Sequence, residues 1–381
     1  MLIEKLSNNL DAKNYLKKLG VDGSGIKILS SKMKHHLIFI KDLPVGGANI
    51  LKQDALSIGA DLAVPRGTIL ALNPFVDCLL IATSKHLEIL SKKELAQPFG
   101  LKDLALKLQE FIKIKKPNSV DIMGIINAND DSFYSGSRFK DSGAVERIVE
   151  MVEDGATIID IGGVSSRPNS PVVTPKEELE RVKPILDVIK SENLYDKVKF
   201  SIDSYEPSVI SYALESGFNI VNDITGLEND EVIKLCASYD ATAVIMHMQG
   251  TPQTMQNDPQ YSNIVDEIYN FLKARKDRAI SFGVKDIVLD VGIGFGKSLD
   301  DNLRLIKNLE NFLTLESPLL VGVSRKSMID KIHKSNVDER LAGTLTLHLE
   351  AVKNGASILR VHDVREHIQV LKVQSALNNL Y

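Results

Sequence analysis

The chain is short of cysteine, of long apolar runs and of surplus positive charge, and each shortage closes off a class of function. Two cysteines, Cys78 and Cys236, stand in apolar or helical surroundings far from any CxxC spacing. Neither a disulfide scaffold nor a zinc site is implied, and a reducing cytoplasm fits. No run of about 18 apolar residues occurs, so a membrane-spanning helix is not expected. The opening MLIEKLSNNLDAKNYLKKLG carries acids and has no long apolar core, so it does not read as a secretory leader. A net charge of -4 gives no basic footprint for nucleic acid.

Complete nucleotide fingerprints are missing too. In Ile287 to Lys297, IVLDVGIGFGK, a phosphate loop would need a glycine where Val291 stands, and a dinucleotide loop would need one at Lys297. What this stretch does hold is an apolar run ending in Asp290, followed by Gly292, Gly294 and Gly296. The run reads as a strand buried on both faces with a carboxylate at its carboxyl end.

The chain's 381 residues, 44% hydrophobic and 25% charged, suit a soluble protein of two domains. Residues 1–116 read as a small α/β domain. Helices are expected at Leu2 to Leu19, Ala48 to Gly59, Lys85 to Ala96 and Leu101 to Ile114, with strands at His36 to Leu43 and Asp77 to Thr83. The phrase GANILKQDALSIGADLAVPRG offers Lys52, Asp54, Asp61 and Arg66, but no catalytic spacing. Lys115-Lys116-Pro117 marks the boundary.

Residues 117–381 repeat one sentence eight times. Apolar strands are expected at 120–126, 157–161, 198–202, 219–221, 242–246, 287–289, 319–323 and 357–361, with amphipathic helices between them. Thr174, Pro175 and Glu177 form a helix start, and Gly155, Gly217, Gly283 and Gly355 close helices before strands. Eight such units in this length predict a (β/α)8 TIM barrel.

In a barrel all strands point their carboxyl ends to one rim, where active sites are built. The strand ends here are Asn127, Asp160, Asp203, Asn222 with Asp223, His247, Asp290, Arg325 with Lys326, and Arg360 with His362. So many polar groups are hard to explain by packing, because buried charges are costly without partners. Asp203, Asn222 and Asp290 suit a flat, nitrogen-rich heterocycle with Phe295 lining it. Lys297, Arg325, Lys326, Arg360 and His362 suit phosphate groups. Together they point to group transfer with a phosphate or pyrophosphate leaving group.

The blocks MGIINANDDSF (123–133), DIGGVSSRP (160–168), SIDSY (201–205), VNDITG (221–226), MHMQGTPQTMQ (246–256), DVGIGFGK (290–297), GVSRKS (322–327) and RVHDV (360–364) resemble dihydropteroate synthases over 118–381. Members of this pterin-binding family condense dihydropterin pyrophosphate with 4-aminobenzoate, giving 7,8-dihydropteroate and pyrophosphate in folate biosynthesis. The resemblance implies a pterin pocket of Asp203, Asn222, Asp290 and Lys326, with Met248 and Phe295 lining it. It implies pyrophosphate binding by Asn127, Arg360 and His362, with Mg2+ held at Asn127. It implies 4-aminobenzoate binding by Phe133, Ser166, Pro168 and Ser327. Catalytic roles would fall to Asp290, Lys326, Asp131 and Arg167, and a homodimer is the family habit.

Some positions depart from the family pattern. Asn129 and Asp130 replace a threonine and proline, Ser135 an aspartate, Val164 a glutamate and Val291 a proline. Two other readings compete: a pterin-binding methyltransferase-type barrel, and a barrel that only binds a pterin or acts as a scaffold. The first has no need of the cationic end and the second no need of the full residue set, so retention of both favours the synthase.

Overall fold

The computed structural model describes every residue except 8, 9, 129–139, 166–171, 256, 379 and 381, and the side chains of 140–142. The chain divides into two compact units, residues 1–114 with 373–381, and residues 115–372. The division falls two residues before the break expected after Lys116.

The first unit is an antiparallel three-stranded sheet in the order β1-β3-β2, formed by β1 (His35–Pro44), β2 (Asp61–Ala63) and β3 (Phe75–Thr83). Alternation along β3 sends Val76, Cys78, Leu80 and Ala82 into a core shared with Leu51, Ala55, Leu87, Leu90, Leu101 and Leu108 of the helices Val45–Ser57, Ser84–Lys93 and Leu101–Lys113. The opposite sheet face leaves Leu37 71% and Phe39 62% exposed.

Three local expectations are corrected. The first helix is Ala12–Lys18, not Leu2 to Leu19, because Asp11 accepts from the amides of Lys13 and Asn14 and so starts the helix there. A second helix, Gly23–Met33, follows unanticipated; it buries no residue, so no apolar stripe announces it. Strand β2 is three residues long and too short to show a period; its pairing with β3 defines it.

The second unit is a closed parallel barrel of β4 (Asp121–Asn127), β5 (Ile158–Gly162), β6 (Lys199–Asp203), β7 (Ile220–Asp223), β8 (Thr242–Met246), β9 (Ile287–Asp290), β10 (Leu319–Val321) and β11 (Ile358–Val361). All eight expected strands are present, with ends shifted by a residue or two. Helix Pro175–Ser191 starts with the Thr174–Glu177 capping box, as its sequence predicts.

The barrel is filled in layers. Met123, Ile158, Ile220, Val244, Val288, Leu320 and Ile358, from seven of the strands, form a dry plug of their own. A larger apolar shell lies between strands and helices. Apolar packing therefore occupies the lower barrel and the outside, and the strand ends above the plug are left for polar groups. Among the described residues no helix is long and apolar enough to cross a membrane.

Candidate active site

Strand register sets the site's floor. Asn127 pairs with Gly162, Gly162 with Asp203 and Asp203 with Asn222, so the ends of β4 to β7 stand level around the rim. Across the barrel Asp290 ends β9 opposite Met246 of β8.

Arg360 rises from β11 and joins these groups. Its Nε donates to Asp160 Oδ2 at 2.6 Å and its Nη2 donates to Asp203 Oδ2 at 2.6 Å. Asn222 Nδ2 donates to the same Asp160 oxygen at 3.2 Å. Asp160 is wholly buried. Removing the guanidinium would leave that carboxylate uncompensated, at a cost of about 3–5 kcal/mol. Burial pushes Asp203 above the usual carboxylate range against the pull of Arg360. On Arg360 burial opposes the charge, but Asp160 and Asp203 outweigh it and raise the guanidinium's affinity for its proton.

Lys326 approaches from the turn after β10. Its Nζ donates to the Ile293 carbonyl and lies 4.5 Å from the centre of the Phe295 ring, a cation–π contact. Burial lowers Lys326 to about 8, with Asp290 opposing and Arg360 reinforcing the shift. Asp290 is raised by burial, while Lys326, the Gly292 amide, Lys297 and Arg360 pull it back. Its Oδ1 accepts from the Gly292 amide at 2.7 Å.

The glycine loop that follows is shaped from inside. At Gly292, φ is +68° and a Cβ would lie 1.9 Å from the His247 carbonyl oxygen, so only glycine fits. The Gly294 amide donates at 2.6 Å to Oδ1 of Asn302, on the following helix Leu299–Lys307, so it is already committed.

Four expectations from the rim are revised. Lys297 is 2% exposed and donates to His247 Nδ1, the His247 carbonyl and the Phe295 carbonyl, at 3.1, 3.2 and 2.8 Å. It staples two loops and is not a phosphate-facing cation; burial lowers it to about 7. His247, its partner, is driven to about 3 by burial and by Lys297, so it stays neutral. Arg325 is held by Asp363, at 3.1 and 2.5 Å, and by Asp338 at 3.0 Å. Asp223 accepts from the amides of Thr225 and Leu227 and serves as a turn acid. The clean division into an acid side and a cation side also fails, because Arg360 sits among the acids.

Of the remaining expected residues, Met248, Phe295 and His362 are half-buried at the rim, and Ser327 is exposed. Asn127 and His362 line one open cavity of about 660 Å³. His362 Nδ1 lies 2.9 Å from Ser324 Oγ. Val164 borders a separate small cavity of about 40 Å³ beside Asp203 and the buried Glu178. Asp131, Phe133, Ser166, Arg167 and Pro168 lie outside the described residues, as do Asn129, Asp130 and Ser135. Sequence reasoning missed Asp363, the anchor of Arg325. Its signal was an acid directly after His362.

With this geometry in hand, comparison with known proteins gives a consistent answer. Residues 123–362 match the model of the family described as pterin binding enzyme. A bifunctional dihydropteroate synthase/dihydropteroate reductase of Helicobacter pylori is 45% identical over 99% of both chains. The dihydropteroate synthase of Haemophilus influenzae is 41% identical over 68% of this chain and 94% of its own. The structure of Xanthomonas albilineans dihydropteroate synthase with 4-aminobenzoic acid superposes with a TM-score of 0.64 at 32% identity, covering 69% of this chain and 95% of that one.

The fold and rim define a pterin-binding barrel enzyme. Within that class the chain belongs to the dihydropteroate synthases. It is a transferase of folate biosynthesis that joins dihydropterin pyrophosphate to 4-aminobenzoate.

Proposed function

We propose that the residues converging on Arg360 divide the synthase reaction between them. The supporting observation is that Asp160, Asp203, Asn222 and Arg360, from β5, β6, β7 and β11, are joined by hydrogen bonds at one end of the barrel. Asp203, Asn222 and Lys326 bind the pterin edge, and Met248 and Phe295 line its faces. Asn127, Arg360 and His362 meet the pyrophosphate. Ser327, with Phe133, Ser166 and Pro168, takes the 4-aminobenzoate, and Asp131 and Arg167 complete the catalytic set with Asp290 and Lys326.

The pterin methylene carbon loses pyrophosphate, leaving a cation delocalised into the ring. The arylamine nitrogen forms the new C–N bond and releases a proton. Asp290 favours positive charge on the ring, and the cations at the pyrophosphate end favour its departure. Holding both reactants in line supplies the rest.

Magnesium fits the site on chemical grounds. Among the described residues no cluster of three or more His, Cys, Asp or Glu could cage a metal. Magnesium keeps several waters and binds through one or two protein oxygens plus substrate phosphates, which the Asn127 amide oxygen can serve. When bound, it would neutralise charge on the departing pyrophosphate. Cys78 and Cys236 are both free and buried, in keeping with a reducing cytoplasm, and a homodimer is the assembly the family resemblance supports.

Titration calorimetry with dihydropterin pyrophosphate tests the division of roles. Asp203→Asn should weaken binding at least about tenfold, and Asn127→Ala should raise the magnesium needed for half-maximal turnover. Unchanged values for both would remove the assignment.

One observation favours a second activity. The alignment with the Helicobacter pylori bifunctional enzyme runs through residues 1–116, whereas that with the Haemophilus influenzae synthase spans about two-thirds of this chain. The same polypeptide then also reduces the dihydropteroate it makes, taking a hydride from a reduced nicotinamide and a proton from water. Incubation of the purified chain with dihydropteroate and NADPH or NADH tests it: nicotinamide oxidation matched to tetrahydropteroate supports the reading, and none with either donor rejects it.

A further inference from the structure

Behind the site lies a pair of histidines that the synthase chemistry above does not use. His348, on helix Leu341–Lys353, is 1% exposed, and His367, on helix Val364–Asn378, is 2% exposed. Their rings meet edge-on, with centroids 4.9 Å apart.

With both rings neutral, one arrangement of protons satisfies the bonds to the Val323 amide and the Asp363 carbonyl; the Val321 carbonyl also lies beside the His348 ring. The Val323 amide donates to His348 Nε2 at 3.2 Å, so that nitrogen must offer a lone pair. A neutral His348 then carries its proton on Nδ1, which faces His367 Nε2 at 2.8 Å. His367 Nε2 must accept, so its proton sits on Nδ1, which donates to the Asp363 carbonyl at 2.6 Å. A donor-only amide at one end and an acceptor-only carbonyl at the other fix both tautomers. An added proton on His367 would set two N–H groups against each other, and one on His348 would oppose the Val323 amide, with the Val321 carbonyl as its alternative partner. Burial lowers both histidines, in agreement.

The two ends of this chain are the two turns that carry the site. Val323 begins the turn that presents Lys326, and the Lys326 amide donates back to the Val323 carbonyl at 3.2 Å. Asp363 follows His362 and Arg360. The turns are also tied by Ser324 to His362 at 2.9 Å and by Arg325 to Asp363 at 2.5 Å. Arg325 adopts φ +56° and its amide donates to Thr344 Oγ1 at 3.0 Å. Such a backbone in a non-glycine residue persists only where its surroundings hold it. The histidines are the buried brace beneath these links.

We propose that His348 and His367 form a neutral, tautomer-locked bridge that fixes the spacing between Lys326 and the Arg360–His362 turn, making them positioning residues for the synthase reaction. The proposal rests on the synthase reading, and the arms of its test separate the two.

Selective 15N labelling of histidine in the full chain reads the bridge without any variant: at pH 7 both rings should be neutral and protonated on Nδ1. A ring protonated on Nε2 would overturn the proposal whatever the kinetics. His367→Leu removes the bridge, and displacement of Lys326 should lower kcat about tenfold or more with smaller changes in either KM. His348→Gln, which keeps an acceptor for the Val323 amide, serves if that variant does not fold. A double variant should be no slower than the worse single one, because both act through one bridge. Stable variants with kcat and both KM values within about twofold of the parent would show a packing role only and overturn the proposal. A parent chain without synthase turnover would instead sink the synthase reading and leave the labelling result standing.

Discussion

Both units bury carboxylates, and what stands opposite them differs. In the barrel, Asp160 and Asp203 face Arg360 at 2.6 Å, and Asp290 is drawn on by Lys326. In the first unit, Glu94 is wholly buried, and its hydrogen-bonding neighbour is another acid, Asp54, which Lys93 reaches at 2.9 Å. Burial and Asp54 raise Glu94 to about 7. At the open ends of its strands the barrel sets opposite charges around Asp160, Asp203 and Asp290, though it too buries one acid, Glu178, that burial raises to about 7. The first unit tolerates one protonated acid inside an apolar core. The first pattern is a site and the second is packing.

The sharpest way to test that contrast is to remove one member of each set. Lys326→Ala should lower turnover about a hundredfold to a thousandfold while leaving the barrel folded; a near-normal rate would break the contrast at its strongest point. Next comes backbone freedom. Gly292→Ala drives a methyl group into the His247 carbonyl, so kcat/KM should fall about tenfold to a hundredfold as the Phe295 loop shifts. Gly59→Ala, at φ +84° with open space around it, should cost about 1 kcal/mol of strain and leave turnover alone.

Proton affinities give a smaller and independent separation. Burial lowers Lys326 to about 8, so if its role is that of a cation, synthase turnover should fall as pH rises through about 8. Lys326→Arg should carry any surviving activity to higher pH, because a guanidinium keeps its proton. Glu94 works through stability. Its folded pKa of about 7 exceeds the ordinary 4.5 of a free glutamate, so the folded state holds the extra proton between these values and stability falls as pH rises across that window. Glu94→Gln should remove the slope and stabilise the protein at pH 8 by on the order of 1–3 kcal/mol, with turnover unaltered.

Much of the barrel was legible because its signals are local and repeated. Apolar runs, capping residues such as Thr174 and Glu177, and closing glycines such as Gly155 recur unit after unit, and strand-end residues follow from the count. What could not be read was pairing. Lys297 and Arg360 are both cations near strand ends, yet one is spent on three neutral acceptors and the other bridges two acids. Arg325 stood beside Lys326 in sequence, and only the folded chain shows Asp363 holding it. The first unit was harder for a different reason. Gly23–Met33 buries nothing and β2 spans three residues, so neither carries a period that sequence can display.

The contrast reduces to one claim, that synthase activity resides in the barrel alone. Purified full-length chain and a fragment of residues 117–381 should be assayed side by side with dihydropterin pyrophosphate, 4-aminobenzoate and magnesium, following dihydropteroate and pyrophosphate. Equal kcat/KM within about threefold is the expected result, since solved synthases cover 69% of this chain with 95% of their own. A folded fragment that binds the pterin substrate but makes no product would contradict the claim and place part of the catalytic machinery in residues 1–116.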